Sequence, residues 1–309
     1  MSFNRKDLVG LKDLAAEEIL FILETAEKFK EIGKRDVKKV PTLKGRTVVN
    51  LFFEPSTRTR TSFEIAGKRL SADTINFSSS ASSTSKGETL IDTVKNIESM
   101  NTDVFVVRHA FSGSVKFIAE NTCARVINAG DGTNEHPTQA LLDLLTIKEH
   151  KKDFENLNVA IIGDITHSRV ARSNIWAMKK LGMNVKLFGP RTMMPAHPEP
   201  FGCKICSSIE EALENTDVVM MLRIQMERQS KTLLPSVKEY SRLYGLNAEK
   251  MKLAKKDALI MHPGPINRGV ELASNAADSA QSVILEQVEN GVAVRMAVLY
   301  LLGIKTEVK

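Results

Sequence analysis

Val48-Val49-Asn50-Leu51-Phe52-Phe53-Glu54-Pro55-Ser56-Thr57-Arg58-Thr59-Arg60-Thr61-Ser62-Phe63 opens as an apolar run of strand length. It breaks at Pro55 into hydroxyls and arginines, then enters a helical stretch at 63–70. A strand that feeds a helix through a short polar loop is one step of a strand–helix alternation. Further runs of strand length stand at 74–77, 104–107 and 126–128, and the second half repeats the theme at 159–162, 185–188, 218–222 and 258–261. This alternation predicts parallel sheets with helices on both faces. About four strands per half suit two similar domains better than one large sheet. The predicted fold is therefore α/β, with two doubly wound parallel-sheet domains.

The length, 309 residues, exceeds a typical domain of about 100–200. Domains are expected over 1–149 and 150–285, with the boundary in the charged stretch that follows a predicted helix at 137–149. A first helix is predicted over 12–33 from the spacing of Leu14, Ile19, Leu20, Ile22, Leu23, Ala26 and Phe29. A last helix is predicted over 278–302. It contains Gly291 and an apolar face of Val283, Ile284, Val288, Val292, Met296 and Leu299. That face needs a partner, so the C-terminal segment 286–309 is expected to return to the first domain. The Ser-rich stretch at 78–85, which ends in Lys86-Gly87-Glu88, reads either as a flexible linker or as a mobile functional loop.

The net charge of +6 suits an anionic substrate or partner. The basic residues are spread along the chain and aromatics make up only 6%, so nucleic acid is not an expected partner. The amino terminus has no apolar h-region, and no run approaches the roughly 18–20 apolar residues that span a bilayer. No membrane is expected, and a cytoplasmic address is. Cys123, Cys203 and Cys206 fit a reducing compartment. In an extended segment Cys203 and Cys206 would point to opposite faces, and no second pair completes a zinc tetrad. The six histidines show no ligand spacing, so neither metal nor cofactor is expected. Gly163-Asp164-Ile165-Thr166-His167 lacks the G-x-G-x-x-G of a dinucleotide turn, and there is no G-x-x-x-x-G-K-S/T.

The loop after the first strand points to an anion. Amide N–H groups at a helix start face outward and attract negative charge. Ser56, Thr57 and Thr59 add neutral donors, and Arg58 adds a planar fork for two phosphate oxygens. The alternative is a capped helix with surface arginines, in which Thr61 and Glu64 form a capping box. Five polar donors in succession exceed what capping needs. His136, before Pro137 at a predicted helix start, reads as a cap or as a neutral electrophile, because a helix N-terminus favours the uncharged imidazole. No acid beside it suggests a nucleophilic relay.

Ser56-Thr57-Arg58-Thr59-Arg60 after an apolar strand resembles the carbamoyl phosphate signature of the aspartate and ornithine carbamoyltransferases. Three more segments match in order. They are Val107-Arg108-His109, Gly130-Asp131-Gly132-Thr133-Asn134-Glu135-His136-Pro137-Thr138-Gln139, and His262-Pro263-Gly264-Pro265. The resemblance covers essentially the whole chain. It implies that Ser56, Thr57, Arg58 and Thr59 hold the phosphate, and that Thr59, Arg108 and His136 hold the carbonyl oxygen. Gln139 would meet the carbamoyl amide. In the second half it implies Arg169 for the α-carboxylate of an amino acid acceptor and Arg223 with Gln225 for its β-carboxylate. Glu54 and Arg228 would order these arginines, and Gly264 and Pro265 would offer backbone carbonyls. Pro263 stands where ornithine transcarbamoylases carry a cysteine. With the Arg223-x-Gln225 segment, this implies aspartate as acceptor. Ser82 and Lys86 match loop residues that reach a neighbouring subunit's site, which implies a homotrimer with shared active sites. Relatives also associate with a regulatory chain or with dihydroorotase. No cofactor is implied.

Overall fold

The computed structural model describes residues 3–78, 88–224 and 236–304; Ser82, Lys86, Gln225 and Arg228 lie outside the described residues. The chain divides into two compact units, Met1–Leu145 with Glu289–Lys309, and Thr146–Val288. Both crossings fall inside helices, α5 (Pro137–Lys151) and α11 (Ile284–Gly303). The expected boundaries after 149 and 285 lie in these same helices.

In the first unit α1 (Ala16–Gly33) precedes a strand–helix alternation. It runs β1 (Thr47–Phe52), α2 (Thr57–Arg69), β2 (Asp73–Ser78), α3 (Leu90–Glu98), β3 (Val104–His109), α4 (Ser114–Glu120) and β4 (Arg125–Asp131). The four strands form a parallel sheet in the order β2-β1-β3-β4. Val48 to Phe52 are all buried, because a central parallel strand is covered on both faces and so reads as a continuous apolar run. Val49 and Leu51 pack with Phe105, Val107 and Val126 on one face, against Val94 of α3 and Val115 and Ile118 of α4.

Helix α2 begins at Thr57, earlier than the predicted 63. Ser56 is its N-cap, in extended conformation. The Thr61–Glu64 capping box therefore does not form. Thr61 lies within the helix, and Glu64 pairs with Lys68 at 2.6 Å and accepts from Asn76 at 2.7 Å. The consequence for function is direct, since Thr57, Arg58 and Thr59 become the first turn of the helix.

At the end of α3, the Glu98 carboxylate binds the turn between α4 and β4. It accepts from the Thr122 hydroxyl at 2.5 Å, from the Cys123 and Ala124 amides, and from Lys95. Burial pushes this carboxyl up, but the bonds from Thr122, Lys95, Ala124 and Cys123 outweigh it and bring it down to about 2. A depressed carboxylate stabilises the fold above its unfolded value of about 4.3. That contribution is lost as pH falls through the folded value. Glu98→Gln is therefore expected to lower the melting temperature at pH 7 and to flatten its acid dependence between about pH 4.3 and 2. Thermal melts across that window test this; an unchanged acid limb would refute it.

The second unit runs β5 (Asn158–Ile162), α6 (Arg169–Lys180), β6 (Asn184–Phe188), β7 (Lys204–Ile205), α7 (Ile209–Leu213) and β8 (Val218–Met221). It continues through α8 (Val237–Leu243), α9 (Ala248–Met251), β9 (Leu259–Met261) and α10 (Ser274–Ala277). Its sheet is parallel in the order β7-β6-β5-β8-β9. Cys203 and Cys206 flank the short β7, and Cys206 joins the core with Ile162, Val219 and Ile260. Burial pushes the Cys203 thiol up to about 11, which makes it unreactive near neutrality.

Helix α11 starts at Ile284 rather than at 278. The preceding segment lies along β9: the Gln281 carbonyl accepts from Ile260, and Val283 donates to the Ile260 carbonyl. Val288, predicted on the buried face, is 57% exposed, while Gln287 is buried and accepts from the His262 amide. From Gly291 to Leu302 the helix is buried on nearly all sides, as a core helix should be. Tyr300 stacks edge-on against Phe29 of α1, within the first unit. Among the described residues no helix is long and apolar enough to cross a membrane.

Candidate active site

In an open α/β sheet, ligands bind beyond the carboxyl ends of the strands, where the strand order reverses. In the first unit that point lies between β1 and β3, since the chain turns from β1 outward to β2 and then back to β3. The predicted residues gather there. Phe52 of β1 is in register with Arg108 of β3. Beyond Phe52 come Glu54 and the first turn of α2, with Thr57 and Arg58 exposed and Thr59 buried. That turn holds no acidic residue, and the Ser56 hydroxyl does not cap it. A helix start with outward amides, hydroxyls and an arginine is a place for a phosphate.

Arg108 is held at two points. Its Nε lies 3.1 Å from a Glu54 carboxylate oxygen, with both side chains about nine-tenths buried, and its Nη1 donates to the Ala129 carbonyl at 3.2 Å. Glu54 therefore acts on Arg108 within its own unit, a partner that the sequence reading did not foresee.

The loop after β4 is organised by Asp131. Its carboxylate accepts from the Gly113 amide at 2.8 Å, from the Glu135 amide at 3.2 Å, and from the Asn128 and Asn134 side chains. This sets His136 at the start of α5, where its carbonyl accepts from the Gln139 and Ala140 amides. His136 is buried. Gln139, in the first turn, donates its side-chain Nε2 to Asp143 at 2.9 Å. Its Oε1 is therefore the end presented for another bond. Neighbouring His109 has its Nδ1 taken by the Phe111 amide and the Ser114 hydroxyl. Burial lowers its pKa, with Asp131 acting the other way, so it stays a neutral structural residue at pH 7.

In the second unit the strand order reverses between β5 and β8. Arg169 is the first residue of α6, buried, behind the Ser168 N-cap whose hydroxyl accepts from the Ala171 amide at 3.1 Å. Arg223 follows β8 and is half-buried. The two arginines thus flank the reversal point of this sheet, as Arg58 and Arg108 flank that of the other. The turn Pro263-Gly264-Pro265 follows β9, next to β8. Gly264 takes φ +65°, a left-handed conformation that glycine adopts readily, and its amide donates to His262 Nδ1 at 2.8 Å. His262 Nε2 in turn meets Glu271 at 3.1 Å, both side chains fully buried. Glu271 also accepts from the Asn267 amide, and Asn267 donates to the Ile224 carbonyl at 3.0 Å. That bond ties the turn to the segment carrying Arg223.

Three functional neighbours escaped the sequence reading. Asp143 stands four residues after Gln139, a helical spacing that could have found it. Arg295 interrupts an apolar run, Val292-Ala293-Val294-Arg295-Met296-Ala297-Val298, a signal of a buried charge. Nothing in the sequence marks Glu271.

Comparison with known proteins matches both halves of the chain. The family model described as "Aspartate/ornithine carbamoyltransferase, carbamoyl-P binding domain" matches residues 6–149, and its "Asp/Orn binding domain" counterpart matches 155–302. The chain is 66% identical over 301 residues to the aspartate carbamoyltransferase catalytic subunit of Campylobacter hominis, covering 97% of each. It is 61% identical to that of Syntrophotalea carbinolica, covering 98% of this chain and 97% of the relative. Among solved structures, aspartate transcarbamoylase from Trypanosoma cruzi, in complex with carbamoyl phosphate and aspartate, superposes with a TM-score of 0.87 at 29% identity over 96% of each chain. Ornithine carbamoyltransferase from Pyrococcus furiosus gives 0.86 at 31% identity over 99% of this chain and 100% of that one. With anion-directed helix starts and arginines at the reversal point of each sheet, and models matching in sequence order, the chain belongs to the aspartate/ornithine carbamoyltransferase family.

Proposed function

We propose that this chain transfers the carbamoyl group of carbamoyl phosphate to the α-amine of L-aspartate, giving N-carbamoyl-L-aspartate and phosphate, as a step of de novo pyrimidine biosynthesis. The observation that carries the reading is the grouping of the α2 first turn, Arg108 and His136 beyond neighbouring strand ends. Simple anion binding has no need of donors around a carbonyl, whereas acyl transfer does. The identity to relatives named aspartate carbamoyltransferase supports aspartate as acceptor.

In this reading Ser56, Thr57, Arg58 and Thr59 hold the phosphate, and Thr59, Arg108 and His136 donate to the carbonyl oxygen. Arg169 takes the α-carboxylate of aspartate, while Arg223 takes the β-carboxylate together with Gln225. The amine nitrogen attacks the carbonyl carbon and negative charge grows on the oxygen. The carbon–oxygen bond to phosphate then breaks, and the departing phosphate takes the amine proton. No protein base is needed, so a pH–rate profile that demands one would argue against this step.

The test is product formation from carbamoyl phosphate with aspartate and, separately, with ornithine, whose carbamoyltransferases share the fold. Turnover with aspartate alone is expected. Arg58→Ala should lose about 30- to 100-fold of that activity with the fold intact, the effect of one or two charge-assisted bonds; full activity would remove Arg58 from the site. The same reading makes Ser82 and Lys86 contributions from a neighbouring subunit in a homotrimer. Mixing Lys86→Ala with Arg58→Ala chains should then recover part of the activity, and hybrids as inactive as their parents would refute the shared site. A cytoplasmic location fits the free state of Cys123, Cys203 and Cys206.

A further inference from the structure

Behind the first unit's site lie two buried charges of opposite sign that the reaction does not itself use. Asp143 is completely buried on α5 and accepts the Gln139 Nε2 bond. Arg295, on α11, is buried as well. Its Nη1 donates to the Ser62 hydroxyl at 3.0 Å and to the Gly291 carbonyl at 2.9 Å, and its guanidinium sits 5.2 Å from the Phe63 ring centre. Burial lowers the Arg295 pKa to about 10, and attraction to Asp143 acts the other way, so it remains a cation at neutral pH. A Cβ on Gly291 would come 2.5 Å from Arg295 Nη1 and 3.2 Å from Leu142. Glycine there gives the guanidinium its place. Arg295 thus touches α2, whose first turn carries Thr57 to Thr59, and is attracted to the acid that grips Gln139 on α5.

A carboxamide has two ends of nearly equal shape and opposite hydrogen-bonding character. A carboxylate accepts hydrogen bonds and donates none, so Asp143 can hold only the NH2 end of Gln139. Arg295 supplies a counter-charge for that buried acid. We propose that Asp143 and Arg295 are positioning residues that lock the Gln139 amide with its oxygen outward, making Gln139 an acceptor that selects carbamoyl phosphate over acyl phosphates lacking an N–H. The proposal rests on the reading that Gln139 meets the carbamoyl nitrogen.

Acetyl phosphate replaces that NH2 by a methyl group and keeps the phosphate and the carbonyl. Its binding therefore reports everything in the site except the Gln139 contact. Dissociation constants for carbamoyl phosphate and acetyl phosphate, measured by calorimetry on the intact protein, give a preference ratio. Asp143→Asn lets the Gln139 amide sit either way round, since an asparagine side chain both donates and accepts. The ratio is expected to fall about tenfold while acetyl phosphate affinity holds within about threefold. Because that variant strands a buried cation, a second protein, D143N/R295M, removes both charges together and guards against loss of the fold. It should show the same fall.

Gln139→Met should lower the ratio equally, and adding Asp143→Asn to it should change the ratio no further. Both ligands weakening in step in the Asp143 variants would mean a merely structural role and overturn the proposal. So would a wild-type ratio in D143N and D143N/R295M while Gln139→Met lowers it, and in that case the reading of Gln139 survives. A wild-type ratio in Gln139→Met removes Gln139 from the carbamoyl nitrogen, and the proposal falls with it.

Discussion

Arg108→Met is expected to lower kcat for carbamoyl transfer by about a thousandfold. A preorganised donor aimed at a developing oxyanion contributes about 10²–10³ in rate, and a guanidinium fixed at two points is preorganised. Glu54 holds its Nε, and the Ala129 carbonyl holds one of its Nη atoms. The substitution also leaves a mostly buried Glu54 carboxylate without its cation, which costs about 3–5 kcal/mol of stability when the pair is deeply buried and less at this partial exposure. Loss of activity could then be mistaken for loss of fold. The double variant Glu54→Gln, Arg108→Met separates the two. It should recover most of the melting temperature and none of the turnover. If the double variant turns over within tenfold of the parent chain, Arg108 supports the structure and does not touch the reacting carbonyl.

Arg223→Met is expected to raise KM for aspartate several hundredfold. Two charge-assisted bonds to one carboxylate contribute together about 3–4 kcal/mol, and each 1.4 kcal/mol is tenfold in affinity. Carbamoyl phosphate should bind the variant within about threefold of its normal strength, because Arg223 follows β8 in the second unit whereas the residues proposed to hold the phosphate belong to α2 in the first. Arg223→Lys should fall in between, since an ammonium gives a point charge but no planar fork. Titration of initial rate against aspartate, with isothermal binding of carbamoyl phosphate as the companion measurement, checks both halves. A KM for aspartate within threefold of the parent value would take Arg223 out of the acceptor site.

The central strands were legible because they are buried on both faces and so carry mostly apolar runs; 159–162 needed no other clue, and 48–53 is broken only by the buried Asn50. Helix starts were less so. Ser56 caps α2 with its backbone conformation and not with its side chain, so the pattern of apolar residues pointed to 63 while hydrogen bonding begins at Thr57. The start of α11 was hidden for a different reason. Residues 281–283 have helix-compatible spacing but bond to Ile260 of β9, a long-range partner that no local pattern encodes. Val288 is exposed where the pattern put it inward, and Gln287 is buried beside it because a glutamine with a partner for its oxygen, the His262 amide, can be buried.

Of the candidate site, the motifs supplied the residues meant to touch substrate. They did not supply the residues that hold those in place. For Glu54 the resemblance points to the second unit's arginines, and its pairing with Arg108 inside the first unit is an addition that no motif supplies. Asp143 and Arg295 leave a faint local signal, but Glu271 is an ordinary charged letter until burial gives it partners, and burial depends on elements far apart in the chain. His109 shows the reverse: it stands inside a family motif, but its ring nitrogen is committed to Phe111 and Ser114.

The first unit is discontinuous in sequence, and this bears on how the molecule is made. Residues 289–303 complete its core, with Tyr300 against Phe29, yet they leave the ribosome only after the whole second unit has been made. The second unit is one uninterrupted stretch and can close before residues 289–303 appear. The earlier-begun unit must therefore wait, its core open, for residues 289–303 to emerge. A premature stop after 288 would strand it there, with Asp143 made and its arginine never translated.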